Sequence, residues 1–381
     1  MKYYIIAGEA SGDMHAANLM KQLKQRDSDA FFRVWGGDKM QAETNEMVRH
    51  FKDSSFMGIF NVLWNIRTIK KNFTLCENDI MAFKPDVLIL IDNSGFNLRI
   101  AKYVKLSKLH TRIYYYILPQ AWAWKQKRVH TIHQWCHRIF AILPFEKEFY
   151  KSYGYEVDYV GHPILDAMEQ RKPSLVNFKE LKKEFNLSEK PVIALLPGSR
   201  KQEIKTKLPA MLKVINHFPD YQFVIAGSET LDLSFYKNYL DTDVPIIFNR
   251  TYDILNNATA ALVTSGTATL ETALFRVPQV VCYKPGYVTY KLLSRIVKIK
   301  YICMVNLILD RMAVQELIEG DLNEKRMVKE LNLILKGEKR AQMLKDYNEL
   351  EVKMGGPGAS ARTAELMWED VSRKKTVKPQ S

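Results

Sequence analysis

Four short turns in this chain concentrate residues able to do chemistry, and each follows an apolar run. The first is Gly8-Glu9-Ala10-Ser11-Gly12-Asp13, after Tyr3–Ala7. Glycines at a strand-to-helix turn let a ligand approach the backbone, and a helix start favours anions. The turn is neither G-x-G-x-x-G nor a Walker A loop, because no Gly-Lys-Ser/Thr follows. Its Glu, Ser and Asp lean towards substrate hydroxyls; the plainer reading makes Ser11 or Asp13 a helix cap. The second turn, Asp92-Asn93-Ser94-Gly95-Phe96-Asn97, follows Val87–Ile91. A carboxylate at that strand end can take a proton from an attacking hydroxyl, or can cap a helix.

The other two turns lie in the second half. Val192–Leu196 delivers Pro197-Gly198-Ser199-Arg200, and Ala260–Val263 delivers Thr264-Ser265-Gly266-Thr267-Ala268-Thr269-Leu270-Glu271. Small residues ending in Arg at a helix start offer amides, a dipole and a permanent cation to a pyrophosphate. Ser265, Gly266, Thr267 and Ala268 can hold phosphate, with Glu271 one turn in for the ribose hydroxyls. Each loop alone could be a capped helix. Two of them, both after strands, favour a nucleotide-diphosphate site.

Other clusters carry weaker signals. His130-x-x-His133-x-x-Cys136-His137 has metal-ligand residue types, and on a helix its histidines would share a face. No carboxylate lies nearby and the spacing fits no zinc motif, so a solvated histidine face is the reading and no metal is expected. Trp122, Trp124, Lys125, Lys127 and Arg128 could stack bases, but no nucleic-acid module surrounds them. His162, beside Pro163, is a cleft residue or a turn histidine. The segment from Phe56 to Arg67 is largely apolar, and with Phe60, Leu63 and Trp64 it suits an interfacial helix or ordinary core.

These turns need a scaffold. The chain has 381 residues, 47% apolar and 26% charged, so it can bury substantial cores. Short apolar runs alternate with helix-length stretches in two series, Tyr3–Val160 and Val192–Cys282. That alternation predicts an α/β protein with two Rossmann-like, doubly wound parallel sheets facing a central cleft. The first domain is expected over 1–163, the second over 164–350. Residues 351–381 are expected as a C-terminal helix and frayed tail able to pack back on the first domain. Everything after Asn306, including Val314–Ile318, reads as helical. The four cysteines are scattered, which fits a reducing compartment. The start lacks the apolar core of a signal peptide, and no window comes near the ~18 apolar residues of a spanning helix. The net charge is +14, with no acidic residue between Asp92 and Glu146 or between Glu271 and Asp310. Such stretches suit an anionic partner, including an acidic lipid surface.

In chain order, Gly8–Asp13, Ile91-Asp92, Pro119-x-x-Trp122-Ala123-Trp124, Leu143-Pro144-Phe145-Glu146, Val160-Gly161-His162-Pro163, Leu196–Arg200 and Ser265–Glu271 together resemble the lipid-A-disaccharide synthases. The resemblance runs from about residue 3 to 320. It implies an inverting glycosyltransferase of GT-B architecture, needing no cofactor or metal. The donor would be UDP-2,3-diacylglucosamine and the acceptor 2,3-diacylglucosamine 1-phosphate. Attack of the acceptor 6-hydroxyl gives a β-1,6 disaccharide 1-phosphate and UDP. Asp92 would be the base. Glu9, Ser11, Asp13, Trp124 and His162 would meet the acceptor. Ser199, Arg200, Ser265, Gly266, Thr267, Ala268, Glu271 and Asn306 would bind UDP. The resemblance places the enzyme in the bacterial cytoplasm, peripheral on the inner face of the inner membrane, with a homodimer compatible and no nucleic-acid partner. The chain departs from the family at Ser94-Gly95, where a second acid is usual, at Asn61, at Leu118 and at Gln315. The alternative is another sugar-nucleotide enzyme of similar fold, such as a UDP-N-acetylglucosamine 2-epimerase.

Overall fold

Strands whose side chains are apolar on both faces need cover on both faces, and parallel sheets wrapped in helices supply it. The structure, a computed structural model, describes residues 1–53, 66–123, 125–240, 243–285 and 300–376. Among these residues the chain forms two compact units. The first is Met1–Gln170 with Met354–Ser381, and the second is Arg171–Lys353.

The first unit holds a parallel sheet of β1 (Lys2–Ala7), β2 (Phe31–Gly36), β3 (Glu46–His50), β4 (Val87–Ile91), β5 (Arg112–Tyr116), β6 (Arg138–Ala141) and β7 (Asp158–Tyr159), in the order β3-β2-β1-β4-β5-β6-β7. β4, sequence VLILI, is buried throughout. Tyrosine replaces aliphatics in β1 and β5, and its phenol needs a partner once buried. Tyr3 donates to Asp27 at 3.0 Å, Tyr4 to Asp79 at 2.8 Å and Tyr114 to Asp370 at 2.6 Å.

The second unit holds β8 (Val192–Leu196), β9 (Gln222–Gly227), β10 (Ile246–Phe248), β11 (Ala258–Thr264), β12 (Gln279–Tyr283) and β13 (Gln315–Ile318), in the order β10-β9-β8-β11-β12-β13. All described pairings in both sheets are parallel.

Two strands differ from the sequence reading. β13 was expected as helix over Val314–Ile318, yet Gln315–Ile318 pairs with β12. Glu316 explains the misleading pattern. It is a buried acid whose carboxylate accepts the amides of Ile302 and Cys303, so polarity there marks an internal bond. β3, whose sequence EMVRH is mostly polar, is a half-buried edge strand with no apolar run to announce it.

The chain crosses into the second unit after Gln170 and returns at Met354, against the expected limits of 163 and 350. Helix Ile164–Arg171 starts in the first unit because Asp166 is tied there. Its buried carboxylate accepts the amides of Gly358 (2.5 Å), Ala359 (3.2 Å) and Ser360 (2.7 Å), which open the last helix, Ala359–Thr376. That helix lies along helix Ala10–Arg26. Arg112 and Tyr114 grip its Asp370, Arg138 donates to Leu366 O at 2.8 Å, and Arg362 reaches Val160 O at 2.8 Å. None of the described helices is long and apolar enough to cross a membrane.

Asp166→Ala strands three helix-start amides, two of them buried. It should cost about 2–3 kcal/mol, and thermal unfolding should show the first unit melting several degrees lower. An unchanged melting curve would mean the last helix docks without this cap.

Candidate active site

In a doubly wound sheet, neighbouring strands whose connections leave in opposite directions open a crevice at their carboxyl ends. The strand orders place that switch point between β1 and β4 in the first unit and between β8 and β11 in the second. The four turns singled out in the sequence follow these four strands.

In the first unit, Gly8 and Asn93 pack so closely that a Cβ on Gly8 would sit 2.5 Å from the Asn93 amide nitrogen. The β1 turn and the Asp92 turn are therefore neighbours. Asp92 and Asn93 both have left-handed backbones, φ +48° and +38°. Short polar residues tolerate that region, although two in a row still store strain. Ile117, at the end of β5, has φ +61°, an outlier for a β-branched residue, and its carbonyl accepts the Asp92 amide at 3.2 Å. Buried Asn97 donates to Ile91 O at 3.0 Å and to Asp92 O at 2.8 Å, and Tyr115 donates to Asp92 O at 2.5 Å. The backbone of Asp92 is thus held from three sides, and its half-buried side chain sits at the switch point. Arg128 donates to Ser94 at 2.7 Å on the same turn. Sequence reading missed Tyr115 and Ile117 as positioning residues. Asn97 stood in the turn, but its amide could not be assigned without coordinates.

Glu9 and Ser11 lie at the start of helix Ala10–Arg26. Asp13 is different: it is buried, and its carboxylate accepts the amides of Gly37 (2.7 Å), Lys39 (3.0 Å) and Met40 (3.0 Å). It ties down the turn after β2 instead of meeting substrate hydroxyls. His162 is also buried, after edge strand β7, and its Nδ1 accepts the Ile164 amide at 3.1 Å. Burial, with His15 beside it, pushes His162 down to about 3, which favours the neutral ring. In the Leu143–Glu146 motif, Glu146 closes its own turn by accepting the amides of Ile142 and Leu143, both at 3.0 Å. Trp124 lies outside the described residues, as do Phe60, Leu63 and Trp64 and residues 286–299 of the second basic stretch.

The histidine cluster does not assemble. Its helix ends at Trp135, so His137 leaves the helical face, and its Nδ1 accepts the Ile113 amide at 2.9 Å. His133 stacks on Tyr155 at 4.0 Å, and His130 meets the same tyrosine's hydroxyl at 2.8 Å.

In the second unit, Ser199 and Arg200 open helix Lys201–Leu212, while Gly266, exposed with φ +142°, opens helix Thr267–Leu274. β8 and β11 pair directly, so the two helix starts are adjacent. Arg200 is about half exposed, with 54% of its side chain accessible, and reaches towards Glu203. Ser199 O accepts the Ser228 hydroxyl at 3.0 Å, fixing the turn from β9. Glu271 is half-buried, and Tyr252 donates to it at 2.8 Å; burial raises its carboxyl above the ordinary range. Tyr252, after β10, carried no sequence signal because it approaches from another strand end. Asn306 is fully buried. Its amide donates to Val314 O (2.8 Å) and Glu316 (2.9 Å), and its oxygen accepts Val314 N (2.9 Å). Its polar atoms are spent inside this unit, so it supports the adjacent 302–303 segment, whose Ile302 O accepts the Ser265 hydroxyl at 3.1 Å.

Both switch points thus present helix starts, hydroxyls and charge suited to a nucleotide sugar and an acceptor hydroxyl. A family model described as lipid-A-disaccharide synthetase matches residues 3–368. The chain is 34% identical over 374 residues to the lipid-A-disaccharide synthase of Myxococcus xanthus, covering 96% of both chains. It is 35% identical over 371 residues to that of Nitrosococcus oceani, covering 95% of this chain and 94% of the relative. Among solved structures it resembles a Neisseria meningitidis UDP-GlcNAc 2-epimerase bound to UDP-GlcNAc, with TM-score 0.67, 13% identity and coverage of 97% and 100%. It also resembles a Staphylococcus aureus MnaA–UDP structure, with TM-score 0.68, 14% identity and coverage of 99% and 98%. At such identity these structures speak to the fold, which is GT-B-like, and the sequence relatives decide between the epimerase and synthase readings: the chain belongs to the lipid-A-disaccharide synthase family of glycosyltransferases.

Proposed function

We propose that this enzyme transfers 2,3-diacylglucosamine from UDP-2,3-diacylglucosamine to the 6-hydroxyl of 2,3-diacylglucosamine 1-phosphate. The products are the β-1,6-linked disaccharide 1-phosphate and UDP. The observation that most supports the assignment of roles is the held, left-handed turn of Asp92 at the first switch point. A carboxylate on a fixed backbone has few directions to face, so less freedom is lost when a substrate arrives.

In this mechanism the first unit binds the acceptor, with Glu9 and Ser11 meeting its hydroxyls. Asp13 positions the neighbouring turn. Asp92 takes the proton of the 6-hydroxyl as its oxygen bonds to the anomeric carbon of the donor. The bond from that carbon to the UDP oxygen breaks on the opposite side, so configuration inverts. UDP leaves with the bonding pair. Its growing negative charge falls on Arg200, the Ser199 turn and the helix start at Ser265, Gly266, Thr267 and Ala268. Glu271, oriented by Tyr252, takes the ribose hydroxyls. Arg200 and the helix-start amides supply the stabilising charge, so we read the transfer as metal-independent. Both substrates carry two acyl chains, so the enzyme works as a peripheral protein at the cytoplasmic face of the inner membrane.

Asp92→Asn should keep the fold and the UDP affinity while turnover falls ~10²–10⁴-fold. Near-normal turnover of a folded variant would remove Asp92 from the base role. Arg200→Ala should weaken UDP by roughly tenfold, at the low end for a charged hydrogen bond because the side chain is half exposed. Uridine, which has no phosphate, should bind as before. Calorimetry with both ligands measures this, and equal loss for both would place Arg200 away from the diphosphate.

A further inference from the structure

The anion-binding turn of the second unit already holds an anion, its own Glu203. Oε2 of Glu203 accepts the Ser199 amide at 3.1 Å, and the Arg200 guanidinium lies 3.7 Å from Oε1. The turn is shaped to that carboxylate. Gly198 has φ +123°, and any Cβ there would collide with the Glu203 carboxylate. An acid three positions into a helix often caps it, so the amide contact alone has an ordinary explanation.

Lys207 does not fit that explanation. It lies one turn beyond Glu203 on the same helix face, where residues four apart are neighbours. It is 4% exposed. Among the described residues no hydrogen bond or ion pair closes on its ammonium. Its nearest charges are Glu203, which favours the ammonium, and Arg200, which opposes it, with the buried Cys282 thiol also facing it; burial lowers its pKa. Helical side chains lean towards the helix start, and the turn's Glu203 and Arg200 are the charges that act on the Lys207 ammonium. A cation on a largely buried side chain gains from an anion that comes within reach.

We infer that Glu203 is a built-in stand-in for the diphosphate, and that Lys207 receives its carboxylate when the diphosphate of the sugar nucleotide takes over the Ser199 amide and Arg200. This rests on the diphosphate assignment above. No covalent bond changes in the exchange: one anion replaces another at the same donors, and the displaced carboxylate moves one turn along its helix to a waiting cation. The turn therefore keeps its bound shape when empty. Glu203 also competes for the donors as UDP leaves, which speeds product release.

Calorimetry with UDP and uridine on the wild type, Glu203→Gln, Lys207→Met and the double variant tests this. Glu203→Gln should bind UDP roughly fivefold tighter, the scale of an exposed ion pair, with uridine unchanged. Lys207→Met should bind UDP more weakly by a similar factor, and that loss should vanish in the Glu203→Gln background, where no carboxylate needs a new partner. Glu203→Asp, one methylene too short to reach the amide, should tighten UDP binding as Gln does and serves if the Gln variant fails to fold. The inference is overturned if removing the carboxylate leaves UDP affinity unchanged or lower, or if Lys207→Met loses the same factor in both backgrounds. An Arg200→Ala enzyme with undiminished UDP affinity would instead overturn the diphosphate assignment.

Discussion

A parallel sheet can cover its faces with helices, but it cannot cover the gap where two neighbouring strands send their connections to opposite sides. The turns that carry the proposed chemistry all follow from that constraint. It occurs between β1 and β4 and again between β8 and β11. At each place two helix starts or tight turns follow neighbouring strands. The first gap carries the Asp92 carboxylate, and the second carries Arg200 and the starts of two helices. In the proposed reaction one accepts a proton while the other accepts negative charge.

Energetically the two sites are opposites. The Asp92 turn stores backbone strain at Asp92, Asn93 and Ile117, and it persists because Asn97 and Tyr115 bind its carbonyls from within the core. The buried groups that hold it gain hydrogen bonds they would otherwise lack, which offsets the strain. The Arg200 turn has an internal anion, Glu203, which in the proposed exchange holds the Ser199 amide until the diphosphate takes it over. Rigid geometry suits a base that must meet a hydroxyl. Exchangeable contacts suit a product that must leave.

Sequence reading located the strand ends well because apolar runs such as VLILI and VIALL are bounded by turn residues, and the candidate turns follow directly beyond them. It could not see where a polar residue also serves the interior. Asp13 and Asn306 have the residue types of ligand-binding groups, yet each is buried and bonded to groups of its own unit. Glu316 hid a strand for the same reason. His162 and the His130–His137 cluster illustrate another limit: spacing along a chain gives no information on burial, on where a helix stops, or on an aromatic neighbour such as Tyr155. Tyr252 and Tyr115 reach their partners from other strands, and contacts of that range leave no local pattern.

The central claim is that one enzyme joins two diacylated glucosamines with release of UDP, using its own residues for charge and proton transfer. Incubation of purified protein with UDP-2,3-diacylglucosamine and 2,3-diacylglucosamine 1-phosphate in detergent micelles containing EDTA tests it directly, with mass spectrometry and the anomeric proton coupling of the product as readouts. The account predicts equal amounts of UDP and of a disaccharide 1-phosphate with a β linkage. An α linkage, a requirement for added divalent metal, or UDP-sugar converted to an epimer without disaccharide would contradict it.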